Sequence, residues 1–270
     1  MPTLESRPES PSVRTIPLFF VLALGITWVL QTPALLAQRG FIDGPIERYL
    51  LPAALGGFGP VLAAVLAARH ESGAGGVRAL FRRLFTRVGA LWYLAALGLC
   101  PAIHLAGVAV YGLFGGRTTG LWFFPPENGQ QVFAMFLIPL AEEPGWRGFA
   151  LPRLEERYRP LAASLILGVV WALWHTIMFL VAGVLTASLF AMSMLNIVLG
   201  SVVFSWLYHR TRGSLLIAVF AHMGAHLNNP SHALPDNVTP FAIYNAAIFV
   251  AAALLIFLDR AVWKTEPRRP

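Results

Sequence analysis

Charge is what this sequence has least of. Its 270 residues include 13 acidic and 20 basic side chains, 12% charged in all, against 57% hydrophobic. A soluble domain carries about 25% charged residues. With a mean hydropathy of +0.64, the chain falls instead among polytopic α-helical membrane proteins. Cysteine is nearly absent. The single Cys100 excludes an intrachain disulfide and any multi-cysteine metal site, and suits a small apolar position in a helix. No small-residue cleavage site follows the first apolar run, which extends from Ile16 to about Gln38 and exceeds a signal-peptide core, so it is read as a retained span. No internal repeat is present. A nucleic-acid footprint is also missing, because the basic excess is not gathered into one patch but distributed between segments.

What is there in abundance is apolar sequence. A span needs about 20 apolar residues, and eight candidates lie at 16–38, 50–68, 90–114, 130–151, 160–182, 186–208, 214–230 and 240–259. The seventh is short, and Pro139 and Pro144 interrupt the fourth. The fold class expected is all-α, a bundle of about eight transmembrane helices. Alternate connections then divide the basic residues sharply. Arg7, Arg14, Arg69, Arg78, Arg82, Arg83, Arg87, Arg153, Arg157, Arg159, Arg210, Arg212, Arg260, Lys264, Arg268 and Arg269 share one side, against Arg39, Arg48 and Arg117 on the other. The positive-inside rule places both termini in the cytoplasm and the protein in an inner (cytoplasmic) membrane. Residues 1–15 read as a disordered cytoplasmic tail, residues 16–262 as one membrane domain, and residues 263–270 as a second cytoplasmic tail. In the loop from Arg69 to Val88, arginines alternate with Leu and Phe over Leu80–Phe85, which suits a short amphipathic helix on the anionic inner leaflet. Residues 115–129 form the longest outer loop.

Against this background the ionisable residues inside the spans stand out. A carboxylate at mid-bilayer depth costs roughly 2.5–3.5 kcal/mol on insertion scales, yet Glu142 and Glu143 sit side by side after the apolar run Val132–Ala141. Glu143 and Arg147 are four apart and share a helix face, so they can form an ion pair. Glu142 projects about 100° away, toward a cavity on this reading. Pro144 and Gly145 interrupt regular helix, and irregular backbone at this depth is tolerated only where it is buried in protein or lines a cavity. His175 lies in the fifth span with Trp171 one turn before it on the same face. His222 and His226, four apart in the seventh, also share a face, with Asn228 and Asn229 following. An i, i+4 histidine pair can hold a metal, a haem or an oxyanion, and this one lacks the HExxH glutamate of a zinc protease. His70, His104, His209 and His232 have ordinary interfacial explanations, and the eight tryptophans serve mainly as belt and packing residues.

At these residues the chain resembles the CAAX protease and bacteriocin-processing (CPBP, or Abi) family of intramembrane proteases. Glu142-Glu143-Pro144-Gly145-Trp146-Arg147 looks like its EExxxR motif. Trp171-Ala172-Leu173-Trp174-His175 looks like FxxxH, with Trp171 where the family usually has Phe. His222-Met223-Gly224-Ala225-His226 looks like HxxxN, with His226 in place of Asn. The motif core spans 142–229, and eight helices match the family fold. The resemblance implies an intramembrane endopeptidase with its site between spans four, five and seven. Glu142 would be the general base and His175 would orient the water or donate a proton. His222 and His226 would form the oxyanion hole, with Glu143, Arg147 and Trp171 in support. No cofactor is expected. The alternative is a zinc ion on Glu142, His175 and His222 with water in the fourth position. The implied substrates are membrane-associated or amphipathic peptides and protein tails, CAAX-like tails among them. The expected partners are those substrates and the bilayer, with no nucleic acid. The rivals are a proton- or ion-coupled transporter, a haem protein using His175 and His222, and a non-catalytic immunity or scaffold protein of the same fold.

Overall fold

In lipid every backbone N–H and C=O must be satisfied within the chain, so apolar segments of this length close into helices. The computed structural model describes residues 15–116, 126–183, 186–227 and 238–267. Arg117, Asn228, Asn229, His232 and the outermost tail residues (1–14 and 268–270) lie outside them. The described residues are helical, with no strand among them. In chain order the helices are α1 (Ile16–Gln38), α2 (Glu47–Leu55), α3 (Gly59–Arg82), α4 (Ala90–Leu113) and α5 (Gly129–Glu143). A π-helical segment, Pro144–Ala150, leads into α6 (Leu151–Leu154), α7 (Pro160–Trp174) and α8 (Thr176–Val181). Then follow α9 (Ala187–Arg210), α10 (Leu215–Leu227), α11 (Val238–Leu258) and α12 (Arg260–Trp263).

Within the described residues, every apolar segment picked out in the sequence is helical. Five stretches of them are long and apolar enough to cross a membrane: Ile16–Gln38, Glu47–Phe85, Ala90–Leu113, Pro160–Val181 and Ala187–Arg210. Leu215–Leu227 and Ala242–Leu258 are shorter apolar helices. Large hydrophobic side chains face outward along this surface, among them Val21 and Val29 on α1, Leu91, Leu94 and Leu113 on α4, and Phe249 and Leu258 on α11. A soluble monomer rarely exposes contiguous apolar patches beyond a few hundred Å²; here lipid is the natural solvent for them. The chain is an all-α, multi-pass membrane protein.

Packing places the polar residues at the centre. α7 lies against α9, α10 against α4 and α5, and α9 also against α11. All seven residues of the π segment are buried. The sequence led us to expect a break at Pro144–Gly145, whereas the chain stays helical and widens. Proline supplies no N–H, and the π form accommodates this by running its hydrogen bonds one residue further along. Gly145 allows α3 to approach, since a Cβ there would lie 2.6 Å from the Pro60 carbonyl oxygen. The 69–88 connection also differs from a helix lying on the leaflet. It turns at Ser72 and at Gly73 (φ +60°), then continues α3 inward. Leu80 is buried beside Gly148, and Arg83 Nη1 donates to the Gly148 carbonyl (3.2 Å) and the Tyr208 hydroxyl (2.7 Å). Of its large apolar side chains only Phe85 is openly exposed, while Arg78, Arg82 and Arg87 also face outward. Trp263, placed in the C-terminal tail by sequence, is packed, with its indole donating to the Leu255 carbonyl at 3.1 Å.

The close contact at Gly145 gives a direct test. Gly145→Val drives a branched side chain into the α3 backbone and should cost about 1–3 kcal/mol, read as a lowered unfolding midpoint in detergent. Gly98→Ala on α4, where a Cβ meets nothing within 4 Å, should leave the midpoint unchanged or raise it. Equal tolerance of both would refute this packing.

Candidate active site

The three motif segments meet around one indole. Glu142 and Glu143 end α5, Arg147 lies in the π segment, Trp171 and His175 sit at the end of α7, and His222 is on α10. All are buried, with Glu143 and Arg147 at 0%, Glu142 at 2%, His222 at 4% and His175 at 8% exposure. Trp171 Nε1 donates to Glu142 Oε2 at 2.9 Å, and Trp146 Nε1 donates to the same oxygen at 3.3 Å. The Trp171 ring stands edge-on to His222, with centroids 5.1 Å apart. Its carbonyl, near the helix end where it would otherwise be orphaned, is 2.8 Å from His175 Nδ1.

Glu143 and Arg147 form the ion pair expected from their spacing, Nη1 to Oε1 at 2.9 Å. The same oxygen lies 3.0 Å from His222 Nδ1. Arg147 Nη2 donates to Ser201 Oγ (3.2 Å), whose hydroxyl donates to the Ser164 carbonyl (2.9 Å). The guanidinium is also covered by the Trp171 and Phe204 rings, at 4.5 and 5.2 Å from their centroids. Its charge is thus met by a carboxylate, a hydroxyl and two π faces. Glu143 was expected to position Glu142; its direct partners are Arg147 and His222, and Glu142 is held by tryptophans instead.

Hydrogen-bond direction fixes the state of the histidines. A carbonyl and a carboxylate only accept, so Nδ1 of both His175 and His222 carries the hydrogen. A neutral imidazole then presents a bare Nε2. Both residues line a partly open cavity of about 120 Å³, together with Trp171 and His226, which is large enough for several waters. His222 and His226 stack at 4.9 Å between centroids, as their spacing predicts. α9 supplies Ser193, Asn196, Ile197, Gly200 and Phe204 to the wall, α11 supplies Tyr244 and Ile248, and α4 supplies Cys100. Glu142 does not itself line this cavity but adjoins the indole N–H edge of Trp171, which does. Sequence reasoning missed Trp146, Asn196 and Gly200. Asn196 did carry a signal, as a lone amide inside an apolar span.

The donor set bears on the zinc alternative. Among the described residues, no group of three His, Cys, Asp or Glu side chains is placed to hold a metal ion. Glu142, His175 and His222 are thus not gathered closely enough to hold a zinc ion in this arrangement.

Fold and site together define a polytopic helical membrane protein with a buried carboxylate–histidine centre beside a small, partly open cavity. Residues 127–228, which hold every motif residue, match the family model described as type II CAAX prenyl endopeptidase Rce1-like. The chain is also similar to CAAX prenyl protease 2 of Methanococcus maripaludis, at 27% identity over 177 residues. That match covers 61% of this chain and 65% of the relative's length. The resemblance to the CPBP family read from the three motifs holds over this segment.

The Arg147 pair is the part of the site that stability measurements can reach. Arg147→Met leaves Glu143 buried without its counter-ion and should cost about 3–5 kcal/mol. Adding Glu143→Gln should recover a good part of that loss. Additive unfolding midpoints across the double-mutant cycle would show that the pair is not coupled.

Proposed function

We propose that the chain is an intramembrane endopeptidase in which Glu142 activates a water for attack on a peptide bond. The reading is supported above all by the meeting of Glu142, His175 and His222, from three separate helices, around Trp171 and a water-sized cavity. Glu142 Oε2 is clamped by indoles, leaving Oε1 to take the proton. In this reading the water stands at the Trp171 edge of the cavity, between the bare Nε2 of His175, which accepts one of its hydrogens, and Glu142 Oε1. As the water O–H bond breaks, the proton moves to Glu142, the C–O bond forms, and the carbonyl π electrons pass to oxygen. The tetrahedral species collapses by breaking the C–N bond, while Glu142 returns the proton to the leaving nitrogen. His222 and His226 flank the carbonyl. Glu143 and Arg147 keep His222 in register.

The steps proposed here route no chemistry through a metal. Substrates are membrane-associated or amphipathic peptides and protein tails. CAAX-like tails belong among them, given the name of the methanococcal relative. The uneven distribution of arginine supports an inner-membrane protein with both termini in the cytoplasm. A haem on His175 and His222 would need a site of at least several hundred Å³, well beyond this cavity.

Purified protein in proteoliposomes, offered a peptide library, should cleave, and Glu142→Gln should lose at least about 10³-fold in kcat with an unchanged unfolding midpoint. Wild-type rates in Glu142→Gln would remove the assignment and favour a non-catalytic role for the fold. The cavity has its own probe. A Cβ at Gly200 meets nothing within 4 Å, so Gly200→Leu should fill the space and abolish cleavage without lowering stability. Retained cleavage in Gly200→Leu would mean that substrate does not use this cavity.

A further inference from the structure

Peptide hydrolysis places negative charge on the scissile carbonyl oxygen, and a buried site must aim hydrogen-bond donors at it. Two of the three histidines of the cavity do not meet that need while neutral. His175 has its N–H turned to the Trp171 carbonyl and His222 has its N–H turned to the Glu143 carboxylate, so each shows the cavity a lone pair. His222 gains a second N–H only after taking up a proton. His226 stacks on His222 along the same face of α10, so a donor from a second direction must come from another wall.

α9 supplies one. Asn196 lines the same cavity as His175 and His222, and its Nδ2 is enclosed without a hydrogen-bond partner. A buried amide donor left unmade costs about 1–3 kcal/mol, and such a group in a native protein calls for an explanation. Gly200, one turn further along the same face, also lines the cavity, and its missing side chain leaves open space there. The amide therefore sits next to the room that a peptide carbonyl would occupy. We propose that Asn196 Nδ2 donates to the scissile carbonyl oxygen as it becomes an oxyanion. The inference rests on the endopeptidase reading above and adds to it a catalytic residue from outside the three motifs.

The test uses a peptide that the wild-type protein cleaves in proteoliposomes. Asn196→Ala should lower kcat by roughly 10²–10³-fold, with KM within about threefold. Asn196→Asp keeps the shape and exchanges the amide donor for a carboxylate, and should be at least as slow with an unchanged unfolding midpoint. If Asn196→Ala does not fold, Asn196→Asp decides alone. Binding of the same peptide to uncleaving Glu142→Gln should be the same within about threefold with or without Asn196→Ala, because the bond forms only as charge develops. A kcat within threefold of wild type in either Asn196 variant would overturn the proposal, as would a loss confined to KM or to peptide binding. Full cleavage by Glu142→Gln would instead remove the endopeptidase reading, whatever Asn196 does.

Discussion

The Glu143–Arg147 ion pair, with neither partner exposed, is the constraint on which the rest of the site depends. Moving an isolated ion out of water costs several kcal/mol even after relaxation, so these charges persist in the interior only as partners. Paired, each also reaches a further helix. Arg147 donates to Ser201 on α9, and through that hydroxyl reaches the Ser164 carbonyl on α7. Glu143 Oε1 also accepts from His222 on α10, while Glu143 Oε2 and Arg147 Nε have no hydrogen-bond partner among the described residues. One charged pair therefore fixes the spacing of the π segment, α7, α9 and α10. Burial of the pair is a weak argument for net stability. It is a strong one for geometry, because few other arrangements of these helices leave neither charge exposed to lipid.

Trp171 passes this constraint on to the reacting groups. Its face is held over the guanidinium, which sets the plane of the ring and so the direction of its N–H toward Glu142. Its carbonyl fixes His175, and its edge meets His222. A phenylalanine at this position could stack on Arg147 and pack on His222, but could not grip Glu142. The tryptophan thus adds a hydrogen bond to a place where the family pattern supplies only an apolar ring. Trp146, one turn from Glu142 in the widened helix, closes the grip from the other side.

Much of this was legible because charge in an apolar run is expensive and therefore conspicuous. Glu142, Glu143 and Arg147 were visible on that ground, and their i, i+4 pairing followed from helix geometry alone. The stacking of His222 on His226 was legible for the same reason. Contacts between helices were not. That His222 finds Glu143, 79 positions away, depends on how α10 meets the end of α5, and no local pattern encodes it. The sequence around Pro144 and Gly145 predicts an interruption correctly in place but not in kind. Apolar periodicity cannot distinguish a broken helix from one whose hydrogen bonds run a residue longer. Leu80 belonged to a segment assigned to the lipid surface, because alternation of Arg with Leu and Phe looks the same whether the apolar side meets lipid or protein. Asn196 was passed over because one amide in a span says nothing of what faces it.

The structure divides the centre into a rigid half and an open half, and the boundary is the Trp171 ring. Behind it, Glu142 Oε2, Glu143 Oε1 and the Arg147 terminal nitrogens are all engaged by protein groups at hydrogen-bond distance. In front of it, the cavity meets the imidazoles of His175, His222 and His226, one unengaged amide, the Ser193 and Tyr244 side chains, and otherwise mainly apolar groups. Such a division suits a reaction that begins with a neutral peptide and passes through a charged state. The fixed charges need no rearrangement, because their partners are already in place before substrate arrives. The unmet acceptors and donor lie where water and a carbonyl would complete them. Free energy spent keeping Asn196 unpaired in the resting protein is then recovered only when charge appears on the bound oxygen, which is the condition for a contact to speed a reaction rather than merely tighten binding.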